Sequence, residues 1–311
     1  MNSDFRIEFQ PQLHEDAVLR AITRHPEEKL FWRERNRLYE LGESEGREQA
    51  FQRLHEQWFQ RLGLANPLRQ VIDFWPILTE ATNRCLLLKA RSQNSLGAEL
   101  YLAPAPSEAE MRARRTIVVQ LTPELLARSD ALLQFLRHEF LHLVDMLDPQ
   151  FGYTPDFPKT EDGPAHDHFL QSRYRVLWDI TIDGRLQRQA WLPPGTRAHH
   201  FALFKRAFPG EETKLAETFA FFYDQDSHTH RELVEFAQHP ENWLVTETEI
   251  PSKGRCAICR FPTFHLIDPA TGLPVYVAAI IQANFPGWNL HQPICRQCAD
   301  LYETKFHAAS R

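Results

Sequence analysis

Long apolar runs are missing from this chain. No stretch approaches the roughly 20 residues that a membrane-crossing helix needs, so no membrane partner is expected. The opening MNSDFRIEFQPQLHEDAV has no basic start followed by an apolar core, so it does not read as a secretory signal. Cytoplasmic residence is therefore the expectation. Excess positive charge is absent too: the formal net charge is −6, which argues against generic nucleic-acid binding by the whole protein. Cysteine is scarce, with five in 311 residues. The count is odd, and without a secretory signal a thiol pair reads as metal-binding rather than bridged. Four of the five form two CxxC pairs. The fifth, Cys85 in the strand-like RCLLLKAR, reads as a small buried hydrophobe.

What remains is 43% hydrophobic and 24% charged, the balance of a folded protein rather than a disordered one. Residues 13 to 64 read as helical, with Phe51, Leu54, Trp58 and Leu62 on one stripe. RCLLLKAR, AELYLAP and RRTIVVQL are short, apolar and partly alternating, and predict strands. Thr122-Pro123-Glu124 is a capped helix start, and that helix is expected to run to about Leu147. Residues 148 to 164 are rich in proline and acid and predict a loop. Helices follow around Leu170–Trp178, Phe201–Phe208 and Leu215–Phe222, with a short one through Phe236. The stretch 240–255 reads as a linker. The expected organisation is a helical N-terminal region over 1–80, a mixed domain over 81–240 and a small module over 251–311.

Within the helix expected after Pro123 lies RHEFLHLVDMLD. Residues four apart share a helix face, so His138 and His142 can aim ring nitrogens at one ion. Glu139 stands one position round, beside the ion without ligating it. This is the HExxH arrangement of two zinc ligands and a general base. Asp145 is on the same face and is placed to orient a ligand histidine from behind. The alternative is a helix carrying satisfied core histidines. Against it stand Leu132, Leu136, Phe140 and Leu143, among which a His-Glu-His-Asp face is costly unless paired or metal-bound.

A catalytic zinc needs a third protein ligand and keeps one open position. The downstream candidates are Glu217 in KLAETFAFF, His166 or His168 in GPAHDHF, and Asp179 or Asp183 in WDITIDGRL. HEFLHLVDMLD resembles the HEFxHxxDxxD helix of gluzincin peptidases of the Mlc titration factor type (MtfA-like) and the anthrax lethal factor type. That resemblance implies an α+β fold with a zincin-like core, a small sheet plus active-site helices. It also implies a glutamate third ligand on a later helix, and E-T-F-A at 217 to 220 is similar to the segment that carries it. It covers about 30 residues. The lethal factor type has a tyrosine shortly before that glutamate, whereas RAFPGEETKLAE offers Phe208. The oxyanion-stabilising group is thus open among Tyr223, His228 and His230. AHDHF also resembles the third-histidine element of SprT-like proteases, without its glycine and with the spacing off by one.

Cys256 and Cys259, then Cys295 and Cys298, form two CxxC turns separated by 35 residues. Together they can close a four-thiolate site with no open position. A zinc ribbon or treble clef is expected there, with VYVAAIIQA as a strand and ADLYETKFH as a short helix. From residue 251 onward six Lys/Arg face three Asp/Glu, and Arg255, Arg260, Arg296 and Lys305 give the module a modest basic edge.

These readings converge on a zinc-dependent endopeptidase with one catalytic and one structural Zn2+, acting on a protein or peptide. The expected alternatives are an SprT-like protease acting on nucleic-acid-bound proteins, and a catalytically silent adaptor that docks protein or nucleic acid through its zinc module. The 148 to 164 loop or the N-terminal helices are candidates for covering a latent cleft.

Overall fold

The computed structural model describes residues 5–41, 45–103, 111–159, 164–208, 210–244, 254–261, 263 and 266–309. Its backbone divides into two units, Met1–Pro149 and Gln150–Arg311. It is mixed α+β, mostly helical, with a small sheet. No helix among the described residues is long and apolar enough to cross a membrane.

The first unit runs β1 (Arg6–Phe9), α1 (Pro11–Ile22), α2 (Glu28–Leu38), α3 (Glu45–Arg61), α4 (Asn66–Phe74), α5 (Ile77–Ala81), β2 (Arg84–Lys89), β3 (Gly97–Leu102), α6 (Met111–Arg114), β4 (Arg115–Leu121), α7 (Pro123–Leu126) and α8 (Ser129–Leu147). Its sheet has the order β1-β2-β4-β3. β1, β2 and β4 are parallel, and β3 runs antiparallel on the edge. Alternation sends Cys85, Leu87, Ile117, Val119 and Leu121 to one face, and all five are fully buried. The three strands expected from the sequence are β2, β3 and β4. β1 was not expected, because RIEF alternates without a strongly apolar face. It pairs with β2 in register Ile7 to Cys85. The N-terminal helices therefore share one core with the sheet, and the expected boundary at residue 80 does not coincide with the division at 149.

α8 presents Leu132, Leu136, Phe140 and Leu143 to that core, all 0% exposed, at the spacing of one helical stripe. α4 and α5 pack against it. The helix expected to be continuous from Pro123 is interrupted: α7 closes after one turn, whose Thr122 side chain accepts from the Leu125 amide, and α8 begins at Ser129. Cys85 is buried as the sequence suggests, and burial pushes its thiol up.

The second unit runs α9 (Pro164–Arg188), α10 (Thr196–Ala207), α11 (Glu212–Asp224), α12 (His230–Gln238), α13 (Glu241–Leu244), β5 (Leu266–Ile267), α14 (Pro269–Gly272), α15 (Val275–Asn284), β6 (Ile294–Cys295) and α16 (Arg296–Ala309). α10, α11 and α12 all pack on α9. Gly184 lets α9 and α11 approach: a Cβ there would stand 2.0 Å from the Tyr223 carbonyl oxygen. One turn on, Arg188 donates to the Tyr223 and Gln225 carbonyls, each at 2.6 Å, and to Asp226 at 2.6 Å. It thereby satisfies carbonyls that the end of α11 leaves without helical partners. Phe204, Phe208, Phe219, Phe222 and Phe236 fill the space between α10, α11 and α12.

The segment expected as a strand, VYVAAIIQA, is helical. Pro274 sets the entry, and the buried residues Val277, Ala278 and Ile281 fall on a helical face rather than alternating. Part of the expected 240–255 linker, residues 245–253, lies outside the described residues. Its start is the short α13, in which Leu244 is buried.

Candidate metal centres

His138, Glu139 and His142 stand mid-helix on α8. The two rings lie 5.0 Å apart between centroids, inclined at 72°, as expected for positions i and i+4 on one face. The edge strand supplies the next part: the Ala98 amide donates to Glu139 Oε2 at 2.9 Å. The carboxylate is thus held by backbone from β3 at one oxygen. Asp145 is 3% exposed.

The downstream candidates separate by environment. Glu217 was expected among apolar neighbours, and that expectation is corrected. It lies on the outer side of α11, its side chain 60% exposed, with Oε2 2.8 Å from Lys214 Nζ. Its neighbours Leu215, Thr218 and Phe219 take the buried side of the helix, leaving position 217 to solvent. His166 is buried and packs near the Phe169 ring, while His168 is exposed. Asp183 is committed to His200, whose Nε2 is 2.6 Å from Asp183 Oδ2 in a buried pair. Asp179 stands one turn earlier on α9. Imidazole nitrogens such as those of His138 and His142 are ligands that zinc accepts.

The three residues considered for the oxyanion role are all in the second unit. Tyr223 is buried, and desolvation together with the charge of Asp183 pushes its hydroxyl up to about 12. His228 is lowered by burial, against Glu232. His230 is tied into a structural network: Tyr174 Oη lies 2.8 Å from its Nδ1 and Thr154 Oγ1 3.3 Å from its Nε2, and its amide donates to the Phe151 carbonyl. That network fastens part of the 148–164 loop onto α9 and α12, with Trp178 stacked between Phe151 and Tyr153. The loop's anchoring residues were not singled out in the sequence. The aromatic spacing of Phe151, Tyr153 and Phe157 was the available signal.

The four-cysteine cluster is the more complete centre. Cys256, Cys259, Cys295 and Cys298 are all buried, and their sulfurs lie within 4.8 Å of one another. Cys256 to Cys298 and Cys259 to Cys295 are each 3.8 Å. Sulfurs about 2.3 Å from one tetrahedral centre would stand roughly 3.8 Å apart, so the spacing fits zinc. The Cys295 and Cys298 amides point at Cys256 Sγ and Cys295 Sγ, at 3.2 and 3.4 Å, which favours thiolates. Hydrogen bonds from its three partners, Cys259 foremost, pull the Cys256 thiol down. The cluster forms because β5 pairs with β6 while Cys298 lies in the first turn of α16. The basic edge is dispersed: Arg255 donates to the Arg260 carbonyl, and the Lys305 side chain lies outside the described residues. Comparison with family models, with curated proteins and with solved structures finds no match.

Proposed function

We propose that the protein is a zinc-dependent endopeptidase in which His138 and His142 hold the catalytic ion and Glu139 is the general base. One observation carries the reading: a glutamate beside a helical histidine pair is fixed by the amide of an antiparallel edge strand. Backbone amides along such an edge are the groups that hold an extended peptide, so this one strand serves both base and substrate. Two of the candidate third ligands have other partners: Glu217 pairs with Lys214 in solvent and Asp183 pairs with His200.

Bound zinc would polarise the attacking water and the scissile carbonyl. Glu139 keeps Oε2 on the Ala98 amide and uses its other oxygen to take the water proton. The same carboxyl then hands that proton to the leaving amine. Asp145 orients the histidine ligands, and β3 aligns the substrate chain. The four cysteines would hold a second ion that stabilises the small C-terminal module and performs no chemistry.

Cleavage of casein by the zinc-loaded protein tests this. Glu139→Gln is expected to lower the rate by about three orders of magnitude or more while leaving zinc content unchanged. Undiminished hydrolysis in that variant would sink the peptidase reading, and no hydrolysis by the wild type would favour the adaptor.

A further inference from the structure

We infer that the N-terminal end of the parallel strands is a phosphate-binding site for single-stranded nucleic acid. The inference uses only the first unit and does not depend on the peptidase reading. Parallel register aligns Arg6 with Arg84, and Arg84 with Thr116, while the antiparallel edge aligns Tyr101 with Thr116. Register partners point to the same side of a sheet and neighbouring strands lie about 4.8 Å apart. These four residues therefore form a row across the face opposite the core. Arg84 Nε donates to Thr116 Oγ1 at 3.2 Å, which fixes its guanidinium along the row. Arg6 is exposed and Tyr101 is 51% exposed.

Arg112 extends the charge beyond the strand ends. Its Nε lies 3.5 Å from the Thr82 carbonyl oxygen. Its Nη2 nitrogen is buried with no partner, as is Asn83 Oδ1. Asn83 is fixed there by donating to the Ala113 carbonyl at 2.5 Å. Among the described residues no ion pair joins Arg6, Arg84 or Arg112 to an acid. Three guanidinium groups without an acidic partner can receive an anion, and the unsatisfied buried N–H of Arg112 favours one.

The same face narrows the choice of anion. One row further along, Glu8 and Glu99 flank Leu86 and Val118. These acids oppose a broad polyanion such as a duplex, and Glu99 also bonds the Tyr101 hydroxyl, leaving only the Tyr101 ring for stacking. Tyr101 at the end of the arginine row offers a ring face to an unpaired base, the combination by which single strands are held.

The test is fluorescence anisotropy of a labelled oligothymidylate of about 20 nucleotides with the full-length, zinc-loaded protein at about 50 mM salt. Pyrophosphate is titrated in parallel as a free-phosphate probe. Saturable oligonucleotide binding is expected. It should weaken about tenfold or more in Arg6→Glu/Arg84→Glu and be largely retained in Arg6→Lys/Arg84→Lys. If the double glutamate variant does not fold, Arg6→Ala at the exposed strand start is read instead, with a loss of about threefold expected. Absence of saturable binding, equal binding by wild type and the glutamate or alanine variant, or binding of pyrophosphate without the oligonucleotide would each overturn the inference.

Discussion

Gly184 shows how much one hydrogen atom can decide. A methyl group there meets a backbone oxygen of α11, which cannot rotate away as a flexible side chain would. Gly184→Ala is expected to destabilise the second unit by about 1–3 kcal/mol, despite alanine's better helix propensity, and urea unfolding measures this. Thr229 is a contrasting case, in which a side chain does the work of backbone. It accepts from the Glu232 amide while Glu232 accepts from the Thr229 amide, a reciprocal cap on α12. Burial alone would raise the Glu232 carboxyl, but those bonds from Thr229 hold it below its ordinary value. Thr229→Ala should cost about 1 kcal/mol, read in the same unfolding experiment. Glu217 carries the opposite lesson: the aromatic residues around it in sequence occupy the other side of its helix, so apolar neighbours did not imply a buried carboxylate.

Elements were legible where one period dominated. β4 has a continuous apolar run, and α8 has its stripe and its two histidines four apart. The CxxC pairs were legible because a two-residue gap fixes how closely two sulfurs can sit. α15 was misread because VYVAAIIQA is apolar at every position, and such a run has no period to distinguish strand from helix. β1 escaped because its four residues are half polar and its pairing partner is 78 positions away in register. The third ligand was hard for a related reason: His138 and His142 are fixed by one helix, but a carboxylate from α9 or α11 depends on tertiary packing. The cysteine module also yields an expectation of its own. β5 and β6 have two residues each, too little to stand without the cysteines. Cys298→Ser, or removal of metal by chelator, should unfold residues 254–309 while β2 and β4 keep their amide protection in hydrogen exchange. Full protection of α15 and α16 after metal removal would contradict a structural role for the ion.

The molecule as a whole should be sensitive to acid. Desolvation lowers His14, His55, His228 and His230 below their ordinary 6.5, two in each unit. Each therefore takes up a proton less readily in the fold than in the unfolded chain. Above pH 6.5 they are neutral in the unfolded chain too and cost nothing. As pH falls below that value, the unfolded chain takes up protons that the native state refuses. Thermal stability should therefore fall from pH 7 to pH 5, and a flat profile would show these histidines to be solvated. The central claim is that the histidine pair of α8 holds one metal ion and the cysteine module another. Zinc content per chain, measured by elemental analysis after dialysis, tests it most directly. The account predicts two ions in the wild type and in Glu217→Ala, and one in His142→Ala. A single ion in the wild type that survives loss of His142, or two ions retained without His142, would contradict it.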